Sequence, residues 1–280
     1  MLASANYPHD RVVNYAQKRD AADIPNLTFS RLYAMLCFMY SDWELVHSEA
    51  HRFSSTLLKE NKAKLILTDP PFGTGKMQKL GTSAYMDREE HDLVINGLKS
   101  SIVRHLDDEG TVAVICDYRL AYDIVPELVT IGLVLRGEII WEFGLGRPRS
   151  TWWPNRHNHI LTFTWSEKSG LFDASAIPRD RRLAPKAGYP EDKPAGSVWQ
   201  YTMSNTDPQR VEYPNQKSIE LLSPFVLAHT NPNDVVLDPF CGSSSVGIAA
   251  LMNDRRFVGV DANYTAIEVS SKRIMNQIFS

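Results

Sequence analysis

The stretch VVLDPFCGSSSVGIAALMNDRRFVGVD, residues 235–261, holds the unit from which the rest of the chain is best read. A short apolar run ends at Asp238-Pro239, and a proline there stops a strand because it has no amide to donate. The small residues Gly242 to Ser245 form a turn in which backbone can come close to a ligand. VGIAALMND (246–254) reads as a helix, and RFVGVD (256–261) as a second strand ending in Asp261. Strand, turn, helix and strand in this order imply a parallel pair with a crossover. Asp261 lies 23 positions after Asp238, the separation at which a second-strand acid meets ribose hydroxyls. An ordinary strand-turn-helix connection would also explain the turn. The acid favours an adenosine-type cofactor, while the missing GxGxxG argues against a dinucleotide.

Working outward, AKLILTD (63–69), TVAVICD (111–117) and GEIIWEF (137–143) read as buried strands, and 89–105 as an amphipathic helix. HILTFTW (159–165) alternates as an edge or antiparallel strand would. LTFSRLYAMLCFMY (28–41) and QKSIELLSPFVLAHT (216–230) read as helices, with a closing helix at the C-terminus. The expected fold class is therefore α/β, with a mostly parallel sheet, an antiparallel edge strand and helices on both faces. Ligands in such sheets bind beyond the carboxyl ends of the strands.

A second unusual strand end is LILTDPPFGTGKMQ (65–78). Its GTGK resembles the tail of a phosphate loop, GxxxxGK[ST]. That reading fails twice, because Met77 follows Lys76 and position 70 is proline rather than glycine. What remains is DPPF. Asp69 brings a carboxylate, Pro70 and Pro71 stiffen the backbone and leave a carbonyl free to point at a ligand, and Phe72 offers a flat face on which a base can stack.

The 280 residues are 43% hydrophobic, enough for a substantial core, and no apolar run is long enough to span a membrane. Cys37, Cys116 and Cys241 are scattered with no CxxC pair, which points to a reducing compartment and away from a zinc site or a disulfide framework, and no metal is expected. The net charge of −3 weakly opposes nucleic-acid binding. Charge is unevenly placed, however. Between 147 and 186 stand Arg147, Arg149, Arg156, Lys168, Arg179, Arg181, Arg182 and Lys186 against only Glu167, Asp173 and Asp180. A solvated loop would explain this segment as well as a nucleic-acid contact does.

Together these segments resemble the β class of S-adenosylmethionine-dependent DNA amino-methyltransferases, which place the catalytic segment first and the cofactor turn last. DPPF resembles the catalytic motif, and LDPFCGSSS (237–245) the cofactor motif DPFCGSGT. YPNQKSIELL (213–222) is similar to HPTQKPxELL, RRFVGVD to the ribose-binding strand, SVWQY (197–201) to the segment before the QK helix, and WELVHSEAHRF (43–53) to a GD-containing segment. Departures are Tyr213, Asn215, Ser218 for a helix-opening proline, Ser244 for a glycine, Glu49 for an aspartate, and Asn158 where glutamate is frequent. A non-glycine at 244 requires either a negative φ or tolerated strain.

The resemblance implies a Rossmann-like domain in three parts, with 43–165 as the catalytic half, 166–212 as a loop-rich target-recognition insertion and 213–280 as the cofactor half. Residues 1–42 are an unassigned extension. It implies transfer of methyl from S-adenosylmethionine to adenine N6 of double-stranded DNA, with cytosine N4 as the alternative and a non-catalytic DNA-binding regulator as a reading of another class. Asp69, Pro70, Pro71 and Phe72 would be catalytic. Asp238, Phe240, Cys241, Gly242, Ser243, Ser244, Ser245, Asp261 and Ala262 would hold the cofactor, with Gln216, Lys217, Ser218, Glu49 and Asp69 around it. Arg147, Arg149, Trp152, Trp153, Arg156, Arg179, Arg181, Arg182 and Lys186 are the DNA-binding candidates. A homodimer and a location in the bacterial cytoplasm, from a host or phage gene, complete the expectation.

Overall fold

The structure, a computed structural model, describes residues 11–12, 42–71, 88–143, 153–181, 192–201, 210, 213 and 216–279. The strands are β1 Arg11–Val12, β2 Trp43–His47, β3 Ala63–Thr68, β4 Leu106–Cys116, β5 Val134–Glu142, β6 His157–Thr164, β7 Arg179–Arg181, β8 Asp192–Pro194, β9 Val198–Gln200, β10 Val235–Asp238 and β11 Arg256–Asp261. The helices are α1 Thr56–Glu60, α2 Arg88–His105, α3 Tyr118–Thr130, α4 Ile219–His229, α5 Ser245–Leu251 and α6 Tyr264–Phe279. The proposed helix at 28–41 lies outside the described residues. None of the described helices is long and apolar enough to cross a membrane.

Nine strands form one sheet in the order β1-β2-β11-β10-β3-β4-β6-β5-β9. Pairings among β2, β11, β10, β3 and β4 are parallel, while β6 runs antiparallel to both of its neighbours. The antiparallel strand expected at 159–165 is therefore present but interior. Its alternation marks direction and half-burial, and cannot locate an edge that β5 and β9 cover from elsewhere in the chain. The two-residue β1 is antiparallel to β2 at the opposite edge. β9 lies within the 166–212 insertion yet pairs with β5, so the end of that insertion is part of the main sheet.

AKLILT is apolar at Ala63, Leu65, Ile66 and Leu67 because both sheet faces are covered. Ile66 packs into a cluster with Phe53, Leu98, Ile102, Leu120 and Ile124 from one side. Leu65 and Leu67 pack into another with Leu221, Leu222, Phe225, Ile248 and Ile267 from the other. Gly247 allows α5 to lie against β11, since a Cβ there would stand 2.5 Å from the Phe257 ring. At the start of α1, the buried Glu44 carboxylate accepts from the Thr56 amide at 2.9 Å and the Leu57 amide at 3.2 Å. It thereby satisfies donors that a helix start leaves unpaired.

The chain leaves β3 through α2 towards β4, and leaves β10 through α5 towards β11, on the opposite side. Adjacent strands whose connections diverge open a crevice beyond their carboxyl ends. The two unusual strand ends, at Asp69 and Asp238, both lie there.

Candidate active site

β3 and β10 are tied together at their ends. The Thr68 hydroxyl, buried, donates to Asp238 Oδ1 at 2.7 Å, and the Phe240 amide reaches the same oxygen at 3.1 Å. Burial nevertheless pushes the Asp238 carboxyl up to about 7. Beyond it, the turn takes two left-handed residues in close succession, Gly242 at φ 49° and Ser244 at φ 55°. Ser244 thus accepts the strained conformation rather than avoiding it. Three side chains hold this turn from behind. Asp261 Oδ2 accepts the Gly242 amide at 2.9 Å, the Ser270 hydroxyl donates to the Gly242 carbonyl at 2.6 Å, and Arg273 donates to the Ser243 carbonyl and the Ser245 hydroxyl, both at 2.9 Å.

Asp261 also accepts the Asn263 amide, at 2.8 Å through Oδ1. Desolvation raises its carboxyl pKa despite these amides. Tyr213 covers the outer side of the turn, because a Cβ on Gly242 would meet its ring at 3.2 Å. Burial holds the Tyr213 phenol well above its ordinary value.

Asp69 is partly buried, and its Oδ2 accepts from Lys217 Nζ in an ion pair. Burial raises the Asp69 pKa, and Lys217 opposes that rise. Asp69 Oδ1 is buried with no hydrogen-bond donor among the described residues. The Lys217 ammonium also stands 5.8 Å from the centre of the Trp141 ring. An acceptor oxygen at a strand end, beside a bare backbone turn with its own acidic strand end, can hold an amino group near a ligand on the turn.

Residues 63–272 match the DNA methylase family of N6 and N4 methyltransferases. The chain belongs to that family.

This DNA methylase is 32% identical over 234 residues to the type II methyltransferase M2.MboI of Moraxella bovis, covering 77% of this chain and 81% of the relative. It is 26% identical over 226 residues to the type II methyltransferase M.HpaI of Haemophilus parainfluenzae, covering 78% and 69% respectively. Among solved structures, the M1.HpyAVI–SAM complex superimposes with a TM-score of 0.57 at 22% identity, covering 83% of this chain and 98% of the other. The cytosine-N4-specific PvuII DNA methyltransferase superimposes with a TM-score of 0.61 at 16% identity, covering 85% and 92%. These two likenesses establish the fold.

The donor set fits the family's S-adenosylmethionine. Asp238 and Asp261 place acidic side chains at the turn, whose ionised forms a cationic sulfonium would favour and a pyrophosphate would oppose. The bare Gly242 backbone supplies the close approach.

The sequence-predicted residues fare unevenly. Asp69, Asp238, Phe240, Cys241, Gly242, Ser243, Ser244, Ser245 and Asp261 lie at these neighbouring strand ends and in the turn, and Lys217, from the segment before α4, reaches Asp69. Phe72 lies outside the described residues. Ser218 does not loosen the helix start as a lost proline would, because its hydroxyl caps α4 by accepting the Leu221 amide at 3.3 Å. Glu49 is exposed and faces His51 and Arg52, each at 3.3 Å.

Of the DNA-binding candidates, Trp153 is 81% exposed and Arg156 is exposed. Arg179 is exposed and engaged by both oxygens of Asp192, at 3.1 and 2.8 Å, across the antiparallel β7–β8 pair. Arg147, Arg149, Trp152, Arg182 and Lys186 lie outside the described residues, as does the Arg181 side chain. Thr68, Trp141, Ser270 and Arg273 were missed by sequence reasoning. Thr68 adjoins the DPPF motif and was within reach of it, whereas the others carry no local signal.

Proposed function

We propose that this DNA methylase transfers methyl to adenine N6 in double-stranded DNA, in the bacterial cytoplasm where its relatives' organisms keep their DNA. The observation that carries the proposal is Asp69 Oδ1 at the end of β3, buried without a hydrogen-bond donor among the described residues, one strand from the cofactor turn and joined to it through Thr68 and Asp238. S-adenosylmethionine, when bound, supplies an electrophilic methyl on a sulfonium. The chain's own work is to prepare the nucleophile. The adenine amino nitrogen attacks poorly because its lone pair is delocalised into the ring. Asp69 Oδ1 and the Pro70 carbonyl accept its two N–H hydrogens, favouring a pyramidal nitrogen with a directed lone pair. Displacement then depends on orientation and preorganised electrostatics. The target base leaves the stack to reach this clamp, and Phe72 takes over part of its stacking. On the cofactor side, Asp261 meets the ribose hydroxyls and Asp238 and the Gly242–Ser245 backbone line the ligand, with Gln216 beside the methionine end.

Trp153 and Arg156, exposed beside β6, are the described residues best placed by exposure to contact DNA. A second copy of the chain would enlarge the DNA-contacting surface. Cytosine-N4 transfer is the second reading, favoured by the shared fold of the PvuII methyltransferase. Nucleoside mass spectrometry of unmethylated DNA, incubated with the protein and S-adenosylmethionine, decides between them. N6-methyladenine is expected. N4-methylcytosine would keep the clamp and change the base, and an unmodified nucleoside profile would overturn both readings.

A further inference from the structure

We propose that Lys217 is the positioning residue of the clamp: it binds Asp69 Oδ2, orients the carboxylate, and thereby presents Oδ1 as an ionised acceptor to the target amino group. The inference rests on the methyl-transfer reading above. Sequence resemblance places Lys217 only beside the cofactor. The structure brings it across 148 positions of chain to the end of β3. A lysine side chain only 9% exposed is costly unless its charge is met, and here Asp69 and Trp141 both meet it. Asp69 takes its proton donor, and the face of Trp141 lies within cation–π range. Trp141 is fixed in turn, its indole N–H donating to the Tyr201 carbonyl at 2.9 Å. The chain thus holds the lysine from β5 while the lysine holds the catalytic carboxylate at β3.

The charged and titratable groups around Asp69 show why a cation is needed there. Burial keeps the Cys116 thiol at the end of β4 protonated and uncharged, whereas Asp238 on β10 interacts with Asp69 electrostatically and, when ionised, opposes its negative charge. Desolvation acts in the same direction. Lys217, from the segment before α4, acts in the other. A protonated Asp69 would offer a hydroxyl where the reaction needs an acceptor, so loss of Lys217 disables the clamp chemically without removing any atom that touches the base.

The test follows Asp69 itself. In protein labelled with ¹³C at the aspartate carboxyls, the Asp69 signal is assigned by its absence in Asp69→Asn, and its titration is recorded in wild type, Lys217→Met and Lys217→Arg. The midpoint is expected to rise by about 1–3 pH units in Lys217→Met, the usual effect of an adjacent opposite charge, and to stay near wild type in Lys217→Arg. The acid limb of the single-turnover methyl-transfer rate, at saturating S-adenosylmethionine, should move with it. Should Lys217→Met not fold, Lys217→Gln keeps a donor of similar reach without the charge and carries the same expectation. An unmoved carboxyl midpoint and acid limb, with only a weaker cofactor dissociation constant, would overturn the proposal and leave Lys217 as a cofactor contact. Absence of any methylated nucleoside from wild type would instead sink the methyl-transfer reading, and the carboxyl titration would still decide the role of Lys217.

Discussion

The two strand ends that meet in this crevice are built differently. The turn after β10 is braced repeatedly, with Asp261 and Ser270 on Gly242 and Arg273 on Ser243 and Ser245. All three bracing residues come from β11 and α6, close in sequence to the turn. Asp69 at the end of β3 is held through one oxygen by a lysine from a distant segment, and its other oxygen has no donor among the described residues. A cofactor turn must keep one shape, so redundancy suits it. A clamp must keep an acceptor vacant for a transient guest, and any further donor would fill it.

Breaking the sparse end should have the largest effect. Asp69→Ala removes the acceptor and should lower the transfer rate by about 10²–10³-fold, the loss typical of one preorganised polar group, while calorimetry finds cofactor affinity little changed. Comparable losses in both measurements would erase the division of labour between the two ends. On the braced side, Asp261→Ala should raise the cofactor dissociation constant at least tenfold, or about 1.4 kcal/mol, because it removes the Gly242 tie together with the proposed ribose contact. An unchanged titration would place the ribose elsewhere.

The bridge between the ends comes next. Thr68→Val leaves Asp238 Oδ1 with the Phe240 amide alone, and urea denaturation should register a loss of about 1–3 kcal/mol. Asp238 also gives the comparison a pH signature. Its folded-state pKa, raised from 3.8 to about 7, means that the folded protein binds the proton more tightly than the unfolded chain. This carboxyl therefore favours folding below about pH 4 and loses that contribution as pH rises towards 7. Asp69 and Asp261, also raised, act with the same sign. Asp238→Asn should flatten the decline of stability between pH 4 and 7, and an unaltered slope would remove Asp238 from that balance.

The smallest effect belongs to Ser244→Gly. Left-handed backbone costs a non-glycine residue about 1–2 kcal/mol, and the extra chain entropy of glycine returns about 0.5–1. A melting temperature higher by about 2–4 °C is expected. A lower one would mean that the serine side chain contributes more than its backbone costs.

Much of this was legible because it is local. RFVGVD begins and ends as the strand does, at Arg256 and Asp261, since an apolar run ending in an acid has few other uses. The turn, its two flanking acids and DPPF could be read for the same reason. Helix α3 was not anticipated, and Pro126 in its middle interrupts the usual pattern. Trp141 and Arg273 gave no signal either, because a tryptophan in a strand or an arginine in a helix has its role set by whatever lies opposite.

The sequence by itself determined the α/β class, the order of the motifs, and the positions of Asp69, Asp238 and Asp261 at strand ends, since backbone preference and hydrophobic pattern act over a few residues. Tertiary structure alone decided that β6 is interior, that Arg179 is tied to Asp192, and that Lys217 faces Asp69. Those outcomes depend on which distant charge, donor or ring arrives alongside, and packing settles that only once the whole sheet has formed.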